Sequence, residues 1–475
     1  MAIFSSLSTF FRRHRRKLVV SSSVALAAYF LFNHFVLKKI RSFQDSLKQE
    51  AFVREQIKRR FAQTQRDCYL TILALLPVLT QPIVDELPVE LVTQALKSKK
   101  GGASNNNNNT GGGGATAMSA SGRLTDSMLT SDNLESLERG PGPVVGASRG
   151  ATDMAFYTNQ SKTELWKLLK IKTITRFLTL VYSMGGLLII TRLSMNILAR
   201  RSYLESAVSM AGKNKNPPRS SAPSLHSMSE SQDYYSEQSY LSLSWWLLNK
   251  GWIQLADAIE PLVVTHFESV NARSELSIDE FESILSKVVG ELNSAHYRSV
   301  VVSAIFPPNS QDALIETLSN TTPEIIPELY QQDSTLIKLV DETYYFIHED
   351  PLFLDTYYNL VENSALVTLS QNLSATLEPE RLLALDAVEN ADSNSKIFEV
   401  EAIPQGKKFK LASLLAQLSV QSGVLCDTNN LAPSPGSVSD DNDDDDEPTG
   451  NVFINNLDSL EILDELSASV YSNFQ

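Results

Sequence analysis

Cysteine is almost missing: a chain of 475 residues carries two, Cys68 and Cys426. A secreted chain of this length usually relies on a disulfide framework, so a reducing compartment is expected. Histidine is scarce as well. The six stand at 14, 34, 226, 266, 296 and 348, and none shares zinc-ligand spacing with another or with a cysteine. His266 and His348 fall in helical stretches and read as structural. The chain has no GxSxG, GxGxxG or Walker motif, and GGGG at Gly111–Gly114 is no phosphate loop, since no strand precedes it and no Lys-Ser/Thr follows at the right spacing. The acidic run Asp440–Glu447 fails as a calcium loop, with Asp445 where the glycine belongs and Asn451 where the terminal glutamate belongs. Carboxylate pairs such as Asp279/Glu280 open a helix, where the dipole accounts for them. No enzyme and no cofactor site is visible in these residues.

What is present is apolar content, 43% of the chain, enough for a substantial core. The net charge of −14 is unevenly spread. Residues 1–60 hold thirteen Lys/Arg against Asp45, Glu50 and Glu55, a local +10, which leaves −24 on the remainder. A basic end on an acidic body suits a membrane surface rather than nucleic acid, because the body would repel phosphates. Phe10–Lys17 (FFRRHRRK) is followed by Leu18–Leu37, twenty residues without a formal charge. At about 1.5 Å per residue these span roughly 30 Å, a hydrocarbon core, and LKKIR closes the segment with cations. A cleaved signal segment competes with an anchor, since Ala25-Leu26-Ala27 resembles a cleavage site. The apolar run continues past it through Tyr29–Phe32, which favours retention.

The fold class expected is all-α: a single N-terminal transmembrane helix, then one large helical bundle with disordered loops. Residues 1–17 form the basic N-terminus, 18–37 the anchor, and 38–97 a long amphipathic helix ended by Pro77, followed by a short one at Pro88–Lys97. Residues 98–160, with SNNNNNTGGGG and RGPGP, lack periodic apolar positions and cannot offset their ordering entropy. The remainder, 161–475, completes the bundle around a polar linker at 212–238 and an acidic loop at 434–450. Its helices are expected at Leu241–Ser269 (kinked or broken at Pro261), Ser277–Phe306 (opened by the capping pattern SIDE), Ser310–Ser319, Pro323–Ile347, Pro351–Leu377, Glu378–Val388, Lys408–Val420 and Asn456–Phe474. Ile397–Lys410 alternates locally and reads as a short hairpin.

The chain is organised around Lys162–Ala199. Thr163 can cap a helix whose Leu168, Ile171, Thr175 and Leu178 share one face. Trp166 falls roughly opposite, with Lys162, Leu169, Lys170 and Thr173. A tryptophan there is covered either by a neighbouring helix or by a partner. From Phe177 to Thr191, between Arg176 and Arg192, the helix is apolar all round; fifteen residues is short for a bilayer, so a buried central helix is expected. The insert leaves the fold just after Leu96 and returns just before Lys162. Loops of this kind are tolerated where both ends lie close together at the surface. Leu96, Lys162 and Trp166 would then form an apolar rim, a cation and an aromatic anchor, the ingredients of a groove for an amphipathic helix with acidic residues.

These residues resemble the peroxisomal biogenesis factor peroxin-3 family. The likeness rests on RRHRRK before the apolar segment and KKIR after it, QRDCYLTILALLPVL at Gln65–Leu79, LVTQALK at Leu91–Lys97, and ELWKLLKIKTITR at Glu164–Arg176. It implies a yeast-type member held in the peroxisomal membrane by one pass, with the endoplasmic reticulum as one route there and the large domain in the cytosol. It implies docking of peroxin-19, the soluble receptor for peroxisomal membrane proteins, at Leu96, Lys162 and Trp166. Contacts with peroxisomal membrane lipids, and with organelle-inheritance and autophagy adaptors, are implied too. The long insert and the acidic stretch near 440 depart from the family pattern. The competing readings are a secreted or lumenal helical protein with a cleaved first segment, for which Asn159, Asn320 and Asn372 supply sequons, and a structural tether at another organelle membrane.

Overall fold

The structure, a computed structural model, describes residues 37–104, 156–213, 224–331, 334–379, 407–427 and 451–473, with isolated positions at 23 and 29. Most of the 18–37 segment, residues 105–155 of the 98–160 insert, most of Glu378–Val388 and the acidic loop therefore lie outside the described residues, while the two ends of the insert, 98–104 and 156–159, are helical rather than disordered. Two compact units are present, Met1–Asp67 and Cys68–Gln475. The described residues are helical nearly throughout. In order they form α1 (Leu37–Glu86), α2 (Val89–Ser104), α3 (Lys162–Lys213), α4 (Ser224–Leu241), α5 (Trp252–His266), α6 (Ile278–Leu292) and α7 (Arg298–Ile305). There follow α8 (Gln311–Thr321), α9 (Thr335–Glu349), α10 (Pro351–Glu362), α11 (Leu369–Leu377), α12 (Leu411–Cys426), α13 (Val452–Asp458) and α14 (Glu461–Ser472).

Helix α3 is the axis of the second unit. Every residue from Thr173 to Ser194 is buried, so no face is left for solvent. The jacket comes from α5, α12, α14, α2 and α10. Among the described residues, two segments are long and apolar enough to cross a membrane, Ala51–Lys99 and Lys162–Val208. The apolar window of the second is wholly buried, as expected of a core helix. The first places Cys68, Ile72, Leu76, Leu79 and Ile83 in the core of the second unit.

The arginines at either end of the apolar run are both buried and both paired. Arg176 meets Glu90 at 2.8 Å, and Arg192 meets Asp458 and, at 3.5 Å, Asp464. A buried charge is tolerated only when compensated in this way. Tyr182, midway, donates to Asn293 Oδ1 at 2.8 Å and its own carbonyl accepts from Tyr357 Oη at 3.0 Å.

Several boundaries differ from the sequence expectation. Helix α1 does not end at Pro77 but runs to Glu86 with Pro77 and Pro82 inside it. A proline inside a helix costs about 3 kcal/mol, yet Leu76, Leu79 and Ile83 are fully buried there, and each such side chain returns about 1.5–3 kcal/mol. Pro261 is carried within α5 on the same terms, flanked by buried Ile259, Leu262 and Val263. Helix α2 continues beyond Lys97 to Ser104. Ser224–Leu241 is helical where a polar linker was expected; it is held by hydrogen bonds from Ser236 to Glu328 at 2.9 Å and between Tyr240 and Thr343 at 2.5 Å. The SIDE pattern forms a complete capping box at Ser277 and Glu280. Its helix stops at Leu292, and α7 is separate. The described end of the expected hairpin pairs elsewhere: β2 (Phe409–Lys410) lies antiparallel to β1 (Glu275–Leu276).

Before α5 the chain passes through a π-helical turn, Leu247–Gly251. A Cβ at Gly251 would sit 1.9 Å from the Ala304 carbonyl oxygen, whereas one at Gly290 would meet nothing within 4 Å. Gly251→Ala is expected to cost about 1–3 kcal/mol by overpacking, and Gly290→Ala, in an exposed helix interior, to gain about 0.5–1 kcal/mol. Thermal unfolding midpoints of the two variants should therefore move in opposite directions.

Candidate functional site

Helix α2 presents Val89, Val92, Ala95 and Leu96 to Leu165 and Leu169 at the start of α3, forming a small apolar cluster separate from the main core. The spacings of three and four residues put these side chains on facing stripes. Tyr157, Trp166 and Leu168 cover the cluster in part. Of the three residues singled out in the sequence, Leu96 and Trp166 are thus brought together. Leu96 is 8% exposed and fills the cluster rather than rimming it. Trp166 is half-buried, and Lys162, one helical turn before it, is exposed.

The start of α3 is fixed by Ser161, not Thr163. Glu164 N donates to Ser161 Oγ at 3.2 Å and Ser161 N donates to Glu164 Oε2 at 2.8 Å, a reciprocal capping box. The Ser161 backbone N–H, then its hydroxyl, hold the Glu164 carboxyl below the usual range. Lys99 Nζ also reaches the Gln160 carbonyl, which ties the far end of α2 to the residues leading into α3.

The polar face expected around Trp166 is instead largely enclosed. Leu169 lies in the small cluster, Thr173 is fully buried, and Lys170 is 8% exposed. Lys170 Nζ donates to the Phe267 carbonyl at 2.5 Å and the Val270 carbonyl at 2.7 Å, supplying partners to backbone oxygens just beyond α5. An ammonium group can be buried when it meets carbonyls aligned at a helix end. Burial, with Lys167 adding to it, pushes the Lys170 pKa down.

On its other side Trp166 lines a cleft of about 270 Å³. Thr163, Lys167 and Ile171 of α3 form one wall with it, while Val264 and Glu268, together with Leu411, form the opposite one. The β1–β2 pair and the Leu411 N–H to Ser274 carbonyl bond at 3.0 Å link the segment after α5 to the start of α12. Trp166 is therefore a partition with a filled cluster on one side and an open cleft on the other. The opposite wall was missed in the sequence because its residues stand far from Trp166 in the chain, Val264 and Glu268 near its middle and Leu411 towards its end, and carry no motif.

The other sequence candidates are engaged elsewhere. His266 Nε2 lies 2.7 Å from Glu291 Oε2, and His348 lines a separate cleft of about 420 Å³ beside Tyr344 and Pro307. Cys68 is buried, Cys426 is half-buried, and no disulfide joins them. Among the described residues no group of three or more His, Cys, Asp and Glu could hold a metal ion.

Lys170→Met keeps the stem and removes both hydrogen bonds. A hydrogen bond from a charged donor is worth about 1.5–3 kcal/mol, so amide exchange across residues 268–272 should quicken by about tenfold or more. Residues 177–191 should stay protected in the same measurement.

A family model for Peroxin-3 matches residues 9–473. Peroxisomal biogenesis factor 3 of Debaryomyces hansenii is 49% identical over 476 residues, with 100% of each chain covered. Peroxisomal membrane protein PEX3 of Komagataella pastoris is 33% identical, with 98% of each chain covered. Peroxisomal biogenesis factor 3 of Bos taurus is 24% identical across 79% of this chain and 81% of its own.

Proposed function

The chain belongs to the Peroxin-3 family, and on that premise we propose that it is a membrane-anchored docking factor of peroxisome biogenesis. Leu18–Leu37 anchors it in the peroxisomal membrane with the helical domain in the cytosol. The surface around Trp166 takes an amphipathic helix of the soluble receptor peroxin-19, which delivers membrane proteins for insertion. The role is one of binding rather than catalysis.

The observation that carries this reading is the state of Trp166. Its own fold buries only part of the indole, beside a cleft that no described residue fills. Aromatic side chains in such positions are the usual anchors of interfaces, because a partner completes their desolvation. Leu96 backs the indole from the filled side, and Lys162, which is exposed, would pair with an acid on the incoming helix.

Trp166→Ala should weaken binding of a peroxin-19 N-terminal peptide by more than about tenfold, equivalent to roughly 1.4 kcal/mol, with helicity by circular dichroism unchanged. Binding that persists, or a variant that unfolds, would return the tryptophan to a packing role. Lys162→Glu should have a smaller effect that shrinks as salt rises, since a rim charge is screened; an equal loss at low and high salt counts against that pairing. In the cytosolic orientation glycosidase treatment leaves the mass unchanged. Asn372, one of the three sequon asparagines, is half-buried and donates to Gln421 Oε1 at 2.8 Å, a bond that a glycan on that nitrogen would break.

A further inference from the structure

The docking surface proposed above draws on two helices: Trp166 on α3 supplies the anchor, and Leu96 on α2, packed inward, backs it. Something must set their separation. The apolar cluster between them is small and separate from the main core, so burial alone holds α2 weakly. At its first turn, however, α2 carries Glu90, whose two carboxylate oxygens both accept from Arg176 Nη1 at 2.8 Å. Arg176 Nη2 donates to Ser419 Oγ of α12 at 3.0 Å. The guanidinium is buried, with 3% of its side chain exposed, while Glu90 is 64% exposed. One side chain thus binds α2 and α12 to the central helix.

We infer that Glu90 is a positioning residue for the docking surface: by pairing with buried Arg176 it holds α2, and with it Leu96, at the distance from Trp166 that the incoming helix requires. The inference rests on the docking reading above. Arg176 lies ten residues beyond Trp166, about 15 Å along the helix axis, so the pair acts at a distance from the indole. Among the described residues Arg176 Nε already has no hydrogen-bond partner. Without Glu90 the guanidinium keeps only Ser419 and lies buried without its counter-ion, a state that drives water entry or displacement of the neighbouring helix. Helix α2 is the element free to yield, since the main core does not depend on its cluster. The acid also suits its place, because a carboxylate in the first turn of a helix meets the positive end of the dipole.

The test uses the full chain in detergent micelles and the peroxin-19 N-terminal peptide as probe, with Glu90→Ala, Glu90→Gln, Trp166→Ala and the Glu90→Ala/Trp166→Ala double variant. Glu90→Ala should weaken the peptide by about tenfold, the scale of coupling between residues acting through one site. Glu90→Gln, which keeps an acceptor for Arg176, should lose less. Amide exchange should rise across residues 92–97 and stay unchanged across 177–191. The double variant should bind no worse than Trp166→Ala alone. Unchanged affinity in Glu90→Ala, beside the normal loss in Trp166→Ala, overturns the positioning role and leaves the docking reading standing. Additive losses, or weaker binding without faster exchange in α2, also overturn it, since either makes Glu90 an independent contact. Wild-type affinity in Trp166→Ala removes the docking reading and the positioning role together.

Discussion

The second unit is built to meet one demand: a helix with apolar side chains on every face has to be enclosed on every face. From Phe177 to Thr191 α3 offers no polar stripe on which solvent could rest. Helices from distant parts of the chain close around it, so the long-range order of the fold follows from one stretch of sequence. The enclosure ends at definite places. Arg176 and Arg192 mark them, each buried and each drawing its counter-ion from another element, Glu90 on α2 and Asp458 in α13. Beyond Arg176, towards the helix start, the jacket thins from a ring to two flanks, α2 on one side and the segment after α5 on the other. Trp166 stands in the gap between those flanks. The candidate site is thus where the central helix emerges from its own core, which explains why an otherwise buried helix shows a half-covered indole there.

The axis was legible in the sequence because it rests on composition and period, and both are local. The same is true of the capping box at Ser277 and of helices opened by Ser310 and Asp350, whose side chains accept from the first-turn N–H groups, whereas the helix capped by Ser334 was expected to run on unbroken from Pro323. What escaped was decided by tertiary burial. Pro77, Pro82 and Pro261 look like breaks, and the core absorbs them. Ser224–Leu241 looks like a linker because its stabilising contacts are polar and long-range, Ser236 to Glu328 and Tyr240 to Thr343. The β1–β2 pair joins residues more than 130 positions apart, beyond the reach of any local pattern.

The site divides along the same line. Spacing and the position of the insert brought Leu96, Lys162 and Trp166 forward. They could not reveal that Leu96 is packed inward, that Ser161 rather than Thr163 caps the helix, or that the face shared by Leu169, Lys170 and Thr173 is covered. Lys170 is the instructive case. A lysine in an amphipathic helix reads as solvent-facing, yet here its ammonium group completes the hydrogen bonding of the Phe267 and Val270 carbonyls. A helical wheel contains no information about a helix end that arrives from a hundred residues away.

Lys170 and Arg176 also give the surface its mechanical character. One secures the segment that forms the far wall of the cleft, and the other secures the helix that carries Leu96. Both reach out from α3, the most deeply held element of the unit. A receptor helix binding beside Trp166 would otherwise have to order both flanks itself, at about 0.5–1.5 kcal/mol for each rotamer-rich side chain it immobilised. With the flanks already tied to the axis by buried cations, that cost is met during folding instead of during docking. On the docking reading proposed above, the same two residues that look like burdens on stability, charges carried into a core, would let a partly exposed indole serve as a ready-made anchor.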